Sequence, residues 1–73
     1  MYLNDSQIED MAGAAVNAYE VAADWNAAIR AAREYAIDEF GVNPSKGAVL
    51  LAVKLAKVRW IAISQGVRQQ LLA

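Results

Sequence analysis

The chain contains no His and no Cys. The usual general base, thiol nucleophile and soft metal ligands are therefore missing, and only carboxylates remain to act in pairs. Asp38 and Glu39 are adjacent, as are Glu9 and Asp10. Neighbours on a helix point about 100° apart, so neither pair converges. Glu20 and Asp24 are four residues apart and share a face. Such a pair could meet a cation, but it lacks the Glu-x-x-His companions of the metal sites in helical bundles. The plainer reading is a solvated helix face. Gly41 and Gly47 do not fall in a phosphate-binding glycine pattern. We therefore expect no enzyme, no catalytic or metal-ligating residue and no cofactor.

The elements carrying these residues read as helices. Ser6-x-x-Glu9 fits a capping box at a helix start. From there a three-four spacing runs through Ile8, Met11, Ala15, Ala18, Ala22, Trp25, Ile29, Ala32 and Ala36. This spacing predicts a helix over 6–40 with one face laid nearly parallel to a neighbour. A break near 22–25 is the alternative, because Asp24 could cap a new helix before Trp25. Gly13 is a further weak point, since glycine costs about 1 kcal/mol relative to Ala inside a helix. Gly41 is placed to end the helix in the left-handed conformation. Asn43 and Pro44 then read as the cap and first residue of a second helix over 44–71.

That second helix carries two apolar stripes. Val49, Val53, Ala56, Trp60, Ile63, Val67 and Leu71 form one. Ala48, Leu51, Ala52, Leu55, Val58 and Ala62 form the other. Lys46, Lys54, Lys57, Ser64 and Arg68 mark a thin wet face, which Leu50 and Ile61 interrupt. The tail Gln69–Ala73 is expected to fray. The fold class is thus all-α: one small domain over 1–73, an antiparallel helical hairpin assembling into a four-helix bundle or larger oligomer.

Size argues for assembly as well. A chain of 73 residues buries only roughly 60% of its unfolded surface, so small scaffolds usually need a staple. Disulfides are excluded without Cys, and structural zinc uses mainly Cys and His. Oligomerisation or a larger partner remains. The apolar content of 58% fits that need. The N-terminus is acidic and lacks the apolar core of a signal peptide, and no apolar run reaches the length of a membrane span. A cytoplasmic location is expected.

The net charge of −1 conceals a split. Residues 1–40 hold all eight acidic groups against Arg30 and Arg33, a net of −6. Residues 41–73 hold five basic groups and no acidic one, a net of +5. The near match favours oppositely charged helices packed together, within one chain or across a dimer. A basic half meeting nucleic acid or membrane is the competing reading.

The stretch Ala36-Ile37-Asp38-Glu39-Phe40-Gly41-Val42-Asn43-Pro44-Ser45 resembles the turn of bacterial helix-turn-helix DNA-binding domains. The resemblance covers about 20 residues and implies a DNA-binding regulator. It departs at Ile37, where a small residue is expected, and at Gly47, where a buried Val or Ile is expected. The helix it would send into DNA, Lys46–Val53, has few side chains that read base edges. Residues 46–68 are also basic and apolar like an interfacial helix, but the acidic first half would repel anionic lipid.

Trp25 and Trp60 lie on the main seams, where aromatic residues either fill a core or anchor a partner. The candidate contact residues are Trp25, Ile29, Tyr35, Leu50, Arg59, Trp60 and Ile61. Trp60 beside Arg59 and Ile61 is the favoured outward contact. Glu34, Asp38 and Glu39 form a candidate acidic docking face. The expected function is a non-catalytic protein–protein interaction module, a small regulator, inhibitor or adaptor of phage-like style. It would act as a homo-oligomer that occludes a partner protein. Alternatives are the helix-turn-helix regulator and a structural or ligand-enclosing helical oligomer.

Overall fold

The computed structural model describes the backbone of residues 3–72 and the side chains of residues 3–66. Three helices follow one another: α1 (Asp5–Ala22), α2 (Trp25–Phe40) and α3 (Lys46–Leu72). Of the two readings of residues 6–40, the break near 22–25 is the one found, so the segment is two helices and the fold is not a two-helix hairpin. Asp24 decides the break. Its side chain accepts from the Asn26 backbone N–H at 2.9 Å and starts α2. Ala23 ends α1 in the left-handed region, at φ 54°, and donates its N–H to the Tyr19 carbonyl at 2.7 Å.

The other boundaries also move. Asn4, not Ser6, caps α1. Its side-chain oxygen accepts from the Gln7 N–H at 2.8 Å, and Gln7 Oε1 accepts from the Asn4 N–H at 2.9 Å. This is the reciprocal box expected from Ser6 and Glu9, shifted by two residues because Asn4 holds the extended cap conformation. Gly41 ends α2 with φ 65°, as expected, its N–H donating to the Ile37 carbonyl at 3.1 Å. Ser45, not Asn43, caps α3: its hydroxyl accepts from the Ala48 N–H at 3.1 Å. Pro44 therefore stands before the helix and is buried there. The backbone of α3 is helical to Leu72, through the stretch expected to fray. The side chains of Val67, Arg68 and Leu71, and the whole of Ala73, lie outside the described residues.

A two-residue link turns α2 back along α1, and α2 ends close to where α3 begins. Leu3, Asp5 and Ile8 of α1 and its lead-in lie beside Pro44, Ala48 and Leu51. Hence α3 starts at the same end as α1 and runs in its direction. α1 packs closely on both other helices, which touch each other less.

The core is built of small residues. Seven of its twelve buried side chains are alanines: Ala12, Ala15, Ala28, Ala32, Ala36, Ala52 and Ala56. Ile8, Met11, Val16, Val49 and Val53 complete it. Alanine lets helix backbones approach and costs no side-chain entropy. Five of the nine residues of the three-four seam read from the sequence belong to this core, while Ala18, Trp25 and Ile29 are half-buried and Ala22 is exposed. Folding at residues 23–24 lays the two halves of the seam in one interior, where Ile8, Met11, Ala15, Ala32 and Ala36 are buried.

Candidate interaction surface

Two features stand out on the assembled helices: an aromatic knot at one end and an uncovered apolar face along α3.

The knot forms where α1 stops, α2 starts and α3 passes. Trp25, the first residue of α2, stacks on Tyr19 of α1 with ring centroids 3.9 Å apart. Trp60 of α3 meets Tyr19 edge-on at 5.2 Å. Lys57 Nζ lies 5.4 Å from the centre of the Trp25 ring, in cation–π range. Trp25 and Trp60, which the sequence left as core fillers or partner anchors, are both half-buried here. Trp60 therefore faces α1 rather than outward. Arg59 also turns to α1, where its Nη1 donates to the Glu9 carbonyl at 3.2 Å. Ile29 and Tyr35 pack on the core from α2, and Tyr35 meets Phe40 edge-on at 5.6 Å.

The uncovered face lies on α3. Leu50 is 48% exposed, Leu51 47%, Val58 60% and Ile61 55%. Lys54 and Lys57 are exposed among them. Leu50 and Ile61, the two breaks in the wet face, thus lie on one side of one helix. Eleven residues separate them, or about 16 Å along the axis. Ile63 belongs to the stripe that is buried further back, yet it is 46% exposed. Past Trp60, α3 is largely uncovered. From Ile61 to Gly66 only Ser64 is even half-buried.

Glu34, Asp38 and Glu39 are all exposed on α2, with Ile37 exposed beside them. They sit on a different helix from the apolar face and do not join it. Among the described residues, no group of three or more acidic side chains is arranged to hold a metal ion. No described helix is long and apolar enough to cross a membrane.

One feature escaped the candidate residues. A groove runs between α1 and the start of α3, with a cavity of about 290 Å³ lined by Asp5, Ile8, Glu9, Leu51 and Leu55. A second cavity of about 270 Å³ continues it past Leu3, Pro44 and Ala48. Leu51 and Leu55 were legible as members of the second stripe, but nothing local in the sequence places that stripe beside Asp5 and Glu9. Compared with protein families, curated proteins and solved structures, the chain matches none.

Proposed function

We propose that this chain is a non-catalytic protein-interaction module, a small regulator or inhibitor that self-associates and acts by covering a working surface of a partner protein. The observation that carries this reading is the uncovered apolar face of α3. Seven of the twelve core side chains are only alanines, while Leu50, Leu51, Val58 and Ile61 lie outside on one face. Exposed apolar patches mark interaction sites. A small core gains little on folding, so covering such a face adds stability that the monomer lacks. Two copies meeting through α3 would bring helices into a four-helix arrangement around a shared interior.

The exposed positions of the first turns of α3 also weigh against duplex DNA as the target. They are Lys46, Gly47, Leu50, Leu51 and Lys54. Two of these positions are leucines and one is glycine, which leaves only Lys46 and Lys54 able to reach base edges.

Sedimentation equilibrium tests the reading, paired with titration of duplex DNA at two salt concentrations. A dimer or larger species at low micromolar concentration, with no DNA binding, is expected. A folded monomer in that range removes self-association. Steeply salt-dependent DNA binding would put the helix-turn-helix reading in its place.

A further inference from the structure

We propose that a second copy of this chain seats its α3 in the groove between α1 and α3, in parallel, about a two-fold axis running along the helices. The proposal rests on the self-association above and assigns its geometry.

The first argument is spacing. Leu51, Leu55, Val58 and Ala62 follow one another at intervals of four, three and four residues. That spacing draws a single line along α3, as a coiled-coil seam requires. It is a second seam, distinct from the buried line of Val49, Ala52, Val53 and Ala56. Leu51, Val58 and Ala62 are exposed and Leu55 is half-buried. A seam of this kind is matched by an identical seam on another helix.

The second argument is charge. The two flanks of the seam differ. On one side lies α1 of the same chain, which lines the groove with Asp5 and Glu9. Arg59, which bonds to the Glu9 carbonyl, marks that side of α3. Lys54 and Ile61 lie on the opposite flank, by their positions on the helical wheel. Lys54 falls between Leu51 and Leu55 in sequence, level with the two acids.

Symmetry then separates the two ways of pairing. A two-fold axis along α3 carries the α1 of the second copy to the Lys54 flank. Each Lys54 then meets Asp5 and Glu9 of the other copy. An antiparallel pairing on the same seam brings both α1 helices to one side. Lys54 would then lie on the opposite flank, away from Asp5 and Glu9 of the other copy. Opposite charges on the flanks of a coiled coil set orientation, and like charges oppose it. The parallel contact is also isologous, so it closes as a dimer.

The chain has no Cys, so a single introduced thiol reports the geometry. Ala62 is exposed, and Ala62→Cys is expected to leave helicity by circular dichroism unchanged. In the parallel dimer like positions on the seam lie together, within the Cα separation of about 4.4–6.8 Å that a disulfide spans. Mild oxidation should therefore link Ala62→Cys into a covalent dimer, while Asn17→Cys on the exposed side of α1 should stay unlinked. Lys54→Glu and Glu9→Lys should each weaken the dimer about tenfold, and the double variant should recover it. A monomer at every concentration overturns both this geometry and self-association. A dimer that Ala62→Cys does not link, or that both charge reversals leave unchanged, overturns the geometry and leaves self-association standing.

Discussion

The Tyr19 ring lies flat against the Trp25 indole, 3.9 Å between centroids and 15° between planes, across the break that separates α1 from α2. The contact spans residues 20–24, so it clamps the turn at which the acidic half of the chain folds back on itself. Trp60 arriving edge-on at 5.2 Å ties α3 to the same point. All three helices meet there through aromatic rings, while their other contacts are mostly alanine.

Removing a ring from this knot should therefore cost more than its partial exposure suggests. Trp25→Ala and Tyr19→Ala should each destabilise the fold by about 2–3 kcal/mol, somewhat below the cost of truncating a fully buried aromatic. A double-mutant cycle read by urea unfolding should show coupling of about 0.5–1.5 kcal/mol between them. Additive losses would show that the stacking contributes nothing beyond burial.

The turn itself carries a removable strain. Ala23 holds φ 54°, a conformation that costs a residue with a Cβ about 1–2 kcal/mol. Ala23→Gly should raise stability by up to about 1 kcal/mol, the glycine entropy in the unfolded chain offsetting part of the relief. Asp24→Ala should lose about 1 kcal/mol by removing the cap on α2. Midpoints of thermal unfolding moving in opposite directions would check both.

Two glycines should respond with opposite signs to alanine. A Cβ on Gly13 would meet only Arg59 Nη1, at 3.8 Å, an ordinary contact with a flexible side chain. Gly13→Ala should stabilise by about 1 kcal/mol through helix propensity. Gly41 has open space around its Cβ position but a φ of +65°. Gly41→Ala should destabilise by about 1 kcal/mol, since the strain is in the backbone rather than in packing. Equal effects at the two sites in denaturant titrations would contradict this.

The alanine interior should resist enlargement. Ala15 and Ala32 have no exposed surface. Ala15→Leu or Ala32→Leu should destabilise by about 1–3 kcal/mol, despite the added apolar surface, because the helices are already in close approach. Leu50→Ala and Ile61→Ala, on the outer face of α3, should leave the unfolding of a dilute monomer within about 0.5 kcal/mol. Chemical denaturation at low protein concentration separates the two classes.

Much of the local structure could be read from particular residues. Asp24 was recognisable as a cap, Gly41 as a stop, and the two ends of the three-four line, Ile8 to Ala15 and Ala32 to Ala36, as a buried face. The candidate surface was half visible. Leu50 and Ile61 interrupt the polar side of α3, and that interruption is an exposed patch. Trp60 and Arg59, adjacent to them in sequence, turn inward to α1 instead. Residues next to one another on a helix point in different directions, and only the placement of α1 decides which direction is covered.

The order of residues alone makes the chain helical, stops α2 at Gly41 and sets Ile8, Met11, Ala15, Ala32 and Ala36 on one line for burial. Those properties follow from propensity, caps and periodicity, which act within a few residues. Tertiary structure decided that the line is folded in two at Ala23 and Asp24. A straight helix over 6–40 keeps its backbone bonds but leaves its small-residue face to be covered elsewhere. Breaking it costs one strained alanine and a few backbone bonds, and lays both halves of that face, with α3, around one core. The same decision placed Asp5 and Glu9 beside Leu51 and Leu55. The acid-lined groove therefore follows from the packing of α1 on α3, a contact between residues more than forty positions apart in the chain.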